Sequence, residues 1–169
     1  AVGRDPVPPS VGAAMMEVLS RACTNTLLLY AFYQGPALMG LRFGTRDQIE
    51  RWVKPLASGE ISGAVAMTEP EAGSDVGNVS TSATAEGDHF RLNGRKQFIT
   101  NGSFADLYTV FAKIDRKHFT AFLVERTFEG VKPGPQEKKL GIHGSSTTSV
   151  ILEDAKVPVE NVLGEIGKG

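Results

Sequence analysis

Residues 79–92, Val-Ser-Thr-Ser-Ala-Thr-Ala-Glu-Gly-Asp-His-Phe-Arg-Leu, decide the fold class. Val79, Thr81, Ala83 and Ala85 alternate with Ser80, Ser82, Thr84 and Glu86, the period of a half-buried strand. Gly87-Asp88 turns that strand into His89–Leu92, and Asn93-Gly94 predicts a second tight turn before Arg95 to Ile99. Downstream, Leu107 to Ala112, Phe119 to Val124 and Val150 to Leu152 are short apolar runs rich in aromatic or branched residues. Runs of that length suit strands better than helices. No helical pattern separates them, so the sheet is expected to be mainly antiparallel, a barrel or sandwich from about Gly63 to Val157.

Upstream of Gly59 the period is helical. Ser10, after Pro8-Pro9, is expected to cap a helix whose stripe is Val11, Ala14, Met15, Val18, Leu19 and Ala22. A second apolar segment, Thr26 to Phe32, is expected to stop at Gln34-Gly35-Pro36, because proline removes a ladder donor. Thr45-Arg46-Asp47-Gln48 has capping-box spacing and opens a third helix with Ile49, Trp52, Val53 and Leu56 on its buried face. Gly59 is its natural stop, and Pro55 predicts an earlier end. The chain therefore reads as α+β, with a helical region over residues 1–62 and a β-domain over 63–169.

Composition removes several function classes. A net charge of −1 gives no bulk attraction to nucleic acid or to an anionic membrane. The longest apolar stretch, Leu27 to Phe32, is far too short for a membrane span, and no secretion leader is visible. Cys23 is the lone cysteine, which excludes an internal disulfide and a cysteine-built zinc site; it is expected to be buried or inert. His89, His118 and His143 lack metal-ligand spacing, so no metal is expected. G-x-S-x-G is absent, as are G-x-G-x-x-G and the P-loop. Lys138-Lys139 reads as a solvated pair or as a contact for a phosphate group. A cytoplasmic location fits this composition.

Two segments carry chemistry. Ala66-Met67-Thr68-Glu69-Pro70-Glu71-Ala72-Gly73-Ser74-Asp75 follows the apolar strand Gly63 to Ala66. It is either a concavity whose backbone donors suit an anion or planar polar group, or an acidic surface turn. Gln97-Phe98-Ile99-Thr100-Asn101-Gly102 is a strand end with an aromatic ring beside a hydroxyl, or simply a strand closing on a turn.

Taken together, the two segments resemble the acyl-CoA dehydrogenase family, in which a strand ending in T-E-P-x-x-G-S-D precedes one ending in I-T-N-G. Arg42-Phe43-Gly44-Thr45, Pro55 to Glu60, Lys139 to Ile142, Ser145-Ser146-Thr147, Glu153-Asp154 and Val157-Pro158 extend the resemblance in order along the chain. It implies a flavin-dependent enzyme that oxidises the α,β bond of an acyl-CoA thioester. The cofactor implied is FAD. The implied FAD-binding residues are Val65, Ala66, Met67, Thr68, Gly73, Ser74, Phe98, Ile99 and Thr100, with Ser74 also close to the acyl-CoA. Phe98 stands where the family commonly has Trp, so it packs without offering an indole N–H.

The resemblance also implies an electron-transfer flavoprotein as acceptor, a homo-oligomer (dimer or tetramer), and a mitochondrial matrix location if the source is eukaryotic. It places the carboxylate base in a C-terminal helical region absent from these 169 residues, so no catalytic residue is expected among them. The join Ile114-Asp115-Arg116 is shorter than the loop the family usually has there. Two other readings remain open: an acyl-CoA oxidase or flavin monooxygenase on the same fold, and a non-catalytic β-barrel binding module.

Overall fold

The computed structural model describes residues 8–169. Two helices, α1 (Pro9–Ala22) and α2 (Thr24–Phe43), lead into a third helical segment. That segment comprises α3 (Arg46–Gln48), a π-helical turn (Ile49–Val53) and α4 (Lys54–Ser58). The strands follow as β1 (Gly63–Ala66), β2 (Ser82–Glu86), β3 (His89–Thr100), β4 (Leu107–Ile114), β5 (His118–Glu125), β6 (Val131–Gln136), β7 (Thr147–Pro158) and β8 (Val162–Leu163).

The helical region departs from expectation at five points. Ser10 does not cap α1: Pro8 is the cap residue and Pro9 takes the first helical position, where a missing N–H costs nothing. The α1 stripe is not buried either, and Val11, Met15 and Val18 are exposed. Proline does not stop α2, which runs through Pro36. Its buried ring meets Gly63 at the start of β1, so packing offsets the lost backbone bond. Pro55 does not shorten the third segment; the π-helical turn just before it rearranges the ladder, and α4 continues to Ser58. The Thr45–Gln48 capping box forms as its spacing predicts, and Gly59 ends the helix at φ 81°. Cys23 is exposed rather than buried.

The eight-stranded sheet runs in the order β6-β7-β3-β2-β4-β5-β8, with β1 paired to β4 beside β2. The pairings β2–β3, β3–β7, β4–β5, β5–β8 and β6–β7 are antiparallel, whereas β1 and β2 both meet β4 in parallel. The sheet is mainly antiparallel, as expected, but open rather than closed into a barrel. Its end strands explain why. β6 carries Pro133 and Pro135, which have no ladder donor, and β8 has only two residues.

Asn93-Gly94 makes no turn. β3 passes straight through it, with a register shift between Leu92 and Gly94 against β7. Gly94 sits at φ 158°, where a Cβ would lie 2.4 Å from the Thr81 hydroxyl; Asn93 exchanges hydrogen bonds with Asp154 on β7. The dipeptide is a bulge because Thr81, just before β2, and β7 press on it. Gly87 does form the expected hairpin turn, and Val79 precedes β2 rather than belonging to it. Of the expected buried set, Ala85 is exposed.

Leu107, Phe111, Ala121 and Leu123 face Trp52 and Leu56 of the helical segment in one cluster. Tyr108, Val110, Phe122 and Val124 face the opposite cluster, with Phe90, Leu92, Val150 and Leu152. β4 and β5 are thus covered on both faces, which is why their sequences read as unbroken apolar runs. Each buried Leu, Val or Phe among them contributes about 1.5–3 kcal/mol.

Candidate functional site

β1 delivers the first motif. Its alternation sends Ala64 and Ala66 into the sheet core, while Val65 and Met67 lie half-buried on the face shared with the helices. Beyond β1, the amides of Glu69 and Ala72 donate to each other's carbonyls at 2.9 and 3.2 Å, closing a tight turn over Pro70 and Glu71. Gly73 and Ser74 follow in exposed chain.

The second motif lies directly beside this turn. The amide of Gln97 donates to the carbonyl of Thr68 at 2.8 Å. Between Lys96 and Ile99 the register of β3 against β7 slips. Phe98 occupies the slip at φ 58° and is 62% exposed. A bulky residue in left-handed backbone costs about 1–2 kcal/mol, and this one gains no burial in return. Strain of this kind gathers at binding sites, where it aims a side chain outward.

The nine expected FAD-binding residues therefore divide. Thr68 is joined to Gln97, the neighbour of Phe98, at the end of β1, whereas Thr100 pairs with Thr147 further along β3, where the next side chain, Asn101, reaches the Gly63 carbonyl at the start of β1. Ala66 and Ile99, at 0% and 2% exposure, point into the core, so they can offer only backbone atoms to a ligand. Gly73 and Ser74 are exposed at the far end of the turn. Among the described residues, no side-chain hydrogen bond engages the hydroxyls of Thr68, Ser74 or Thr100; the bonds here run between Lys96, Glu69, Gln97 and Glu137. The site is an open face with an aromatic ring and uncommitted hydroxyls, suited to a flat, polar-edged ring. A cavity of about 620 Å³ lies elsewhere, between α2 and α4, lined by Leu29, Tyr33 and Leu56.

Glu69 is not part of an acidic surface. Its carboxylate is buried and accepts from the Ser80 amide at 2.6 Å, the Ser80 hydroxyl at 2.7 Å, the Thr81 amide at 3.0 Å and the Thr81 hydroxyl. Lys96, fully buried, donates to it at 2.7 Å and to the Met67 carbonyl at 3.2 Å. Burial works to raise the Glu69 pKa, but the bonds from Lys96, Thr81 and Ser80 prevail and bring it down to about 2. Burial lowers the Lys96 pKa against the opposing pull of Glu69.

Sequence reasoning passed over Lys96. The signal was there: it occupies an inward position of β3, where a lysine requires a buried acid. Lys139 is likewise structural, donating to the carbonyls of Ile142 and Ser145 and to the Thr147 hydroxyl. The short join closes as a three-residue hairpin loop, Asp115 to Lys117, with Asp115 at φ 52°, Arg116 at φ 59°, and the Lys117 amide on the Ile114 carbonyl at 3.0 Å.

The chain presents a β-domain in which the turn after one strand is bonded beside an exposed, strained ring on another. The family model described as "Acyl-CoA dehydrogenase, middle domain" matches residues 64–155, more than half of the chain. The chain belongs to the acyl-CoA dehydrogenase family. It is 47% identical over 159 residues to a probable acyl-CoA dehydrogenase of Bacillus subtilis, covering 93% of this chain and 27% of that protein. Butyryl-CoA dehydrogenase of Megasphaera elsdenii superposes with a TM-score of 0.87 at 41% identity, covering 91% of this chain and 42% of that one. An acyl-CoA dehydrogenase of Bacillus anthracis, solved with FAD, superposes with a TM-score of 0.73 at 52% identity, covering 75% and 22%. The chain spans less than half the length of the relatives it matches.

Proposed function

We propose that this chain is the flavin-holding part of an enzyme that oxidises acyl-CoA thioesters at the α,β bond, with FAD as its cofactor. The observation that carries the reading is Phe98, a strained, exposed aromatic ring beside the Thr68 turn. When bound, FAD supplies a hydride acceptor. Phe98 packs against its ring, and Thr68, Thr100 and the backbone around Met67 and Ile99 meet its polar edge. Donors set there before reaction favour the negative charge that accompanies hydride uptake. Val65 and Ala66 support this wall, while Gly73 and Ser74 meet the pyrophosphate, with Ser74 near the acyl-CoA.

The proton-abstracting base lies outside these 169 residues on this reading. Glu69 is unfit for it, because its oxygens are saturated with donors and its pKa is about 2. The proposal extends to an electron-transfer flavoprotein as acceptor, a homo-oligomer, and the cytoplasm, or the mitochondrial matrix of a eukaryote. No helix among the described residues is long and apolar enough to cross a membrane. Residues 1–62 and 63–169 are proposed as its helical and β-domain portions; the start of the first lies outside the described residues.

The test is to purify the protein carrying this segment, saturate it with FAD, and add straight-chain acyl-CoA esters without oxygen. The expected result is bleaching of the flavin absorbance, followed by reoxidation by an electron-transfer flavoprotein faster than by oxygen. Failure to hold FAD, or flavin that stays oxidised with every ester, overturns the reading. Faster reoxidation by oxygen makes the enzyme an oxidase.

A further inference from the structure

The Lys96–Glu69 pair is costly to bury. Side-chain exposure is 0% for Lys96 and 2% for Glu69. Such a pair usually contributes little net stability compared with apolar residues of similar size. Its connections suggest another role. Lys96 is the last residue of β3 in register with β7 before the slip that presents Phe98. Its ammonium spans to the Met67 carbonyl and to Glu69, on either side of Thr68. Glu69 in turn holds Ser80 and Thr81 at the start of the β2 hairpin.

The peptide between Met67 and Thr68 is trans, so its carbonyl and N–H point in opposite directions. Lys96 draws the Met67 carbonyl inward. The Thr68 N–H is thereby turned away from the buried ammonium. The next carbonyl, that of Thr68, is held by the Gln97 amide. One lysine thus fixes the direction of a backbone donor on the first motif and sits beside the bulge of the second.

We infer that Lys96, braced by Glu69, is a positioning residue that sets the Thr68 amide and the Phe98 bulge in one fixed relation for the flavin edge. The inference rests on the FAD reading above and names the device that orders that site. Lys96 itself touches no ligand and acts through the Met67–Thr68 peptide.

Two double variants of the FAD-loaded protein test it. Glu69→Leu with Lys96→Met keeps the volume and removes every donor to the Met67 carbonyl. It leaves the Ser80 and Thr81 donors without their acceptor and is expected to melt below the parent without FAD but to fold, while the FAD dissociation constant rises at least about tenfold and the flavin absorption band shifts. Glu69→Gln with Lys96→Gln abolishes the charges but retains a donor for that carbonyl, and is expected to bind FAD within about threefold of the parent. A folded apolar variant with the parent's FAD affinity and spectrum overturns the inference. A folded amide variant that loses FAD tenfold or more overturns it too, and that variant decides alone if the apolar one does not fold. Failure of both to fold makes the pair a requirement of the fold only, and the positioning role falls. A parent that never binds FAD refutes the functional reading instead, which separates the two failures.

Discussion

The Gln97 amide donates to the Thr68 carbonyl at 2.8 Å, stitching the turn after β1 to the bulge of β3 across the whole β2–β3 hairpin. Two motifs far apart in the chain become one wall.

Phe98 holds φ 58° while mostly exposed, so its ring serves something other than the fold. Asparagine tolerates left-handed backbone far better. Phe98→Asn is expected to leave stability unchanged or raise it by about 1 kcal/mol, while FAD affinity falls several-fold. Thermal unfolding without FAD and a fluorescence titration with FAD check both halves. A destabilised variant with normal FAD binding contradicts the assignment.

Thr100 is half-buried at the end of β3 and keeps its hydroxyl uncommitted. Thr100→Ala is expected to retain FAD but change the relative stability of its oxidised and reduced forms. The loss of one donor amounts to about 1 kcal/mol, or about 20 mV for a two-electron couple. Equilibrium redox titration of variant and parent measures it, and identical potentials refute the role.

Glu69 has a folded pKa of about 2 against an ordinary value of 4.5. A carboxylate with a depressed folded pKa contributes stability that is complete above the unfolded value and lost as pH falls through the folded one. Between pH 5 and pH 2 the parent should therefore lose about 3 kcal/mol more than the Glu69→Gln, Lys96→Gln variant. Urea unfolding at a series of pH values gives the comparison. Parallel curves would show that Glu69 is not held ionised by its neighbours.

Asp115 and Arg116 both take positive φ in the three-residue loop joining β4 to β5. Turns of that geometry favour glycine at the second position. Arg116→Gly is expected to stabilise the fold by about 1 kcal/mol, a rise of about 3 °C in melting temperature for a chain of this size. Calorimetry tests it, and a lower melting temperature would mean that Arg116 makes a contribution beyond the turn.

The legible parts of the sequence were the local ones. The Thr45–Gln48 capping box, the Gly59 stop, the Gly87 turn and the unbroken apolar runs of β4 and β5 all formed as read. Each depends on residues a few positions apart, or on a strand's own two faces. The two candidate site motifs stood out only as a pair, through their resemblance to a known family; each alone read equally as a turn. β6 escaped notice because its prolines and glycine hide a strand that only an edge position tolerates.

The sequence by itself determined the switch from a helical to a strand period near Gly59, because hydrogen-bond period and turn chemistry act over a few residues; the two candidate site segments were singled out by their joint resemblance to a known family. Only the tertiary structure decided the rest. Asn93-Gly94 became a bulge because Thr81 and β7 press on it from two sides. Pro36 stayed within a helix because β1 packs against its ring. Glu69 left the surface because Lys96, 27 residues further along, meets it in the interior. In each case the deciding partner is distant in the chain, and its energy enters only once the sheet has brought the two together.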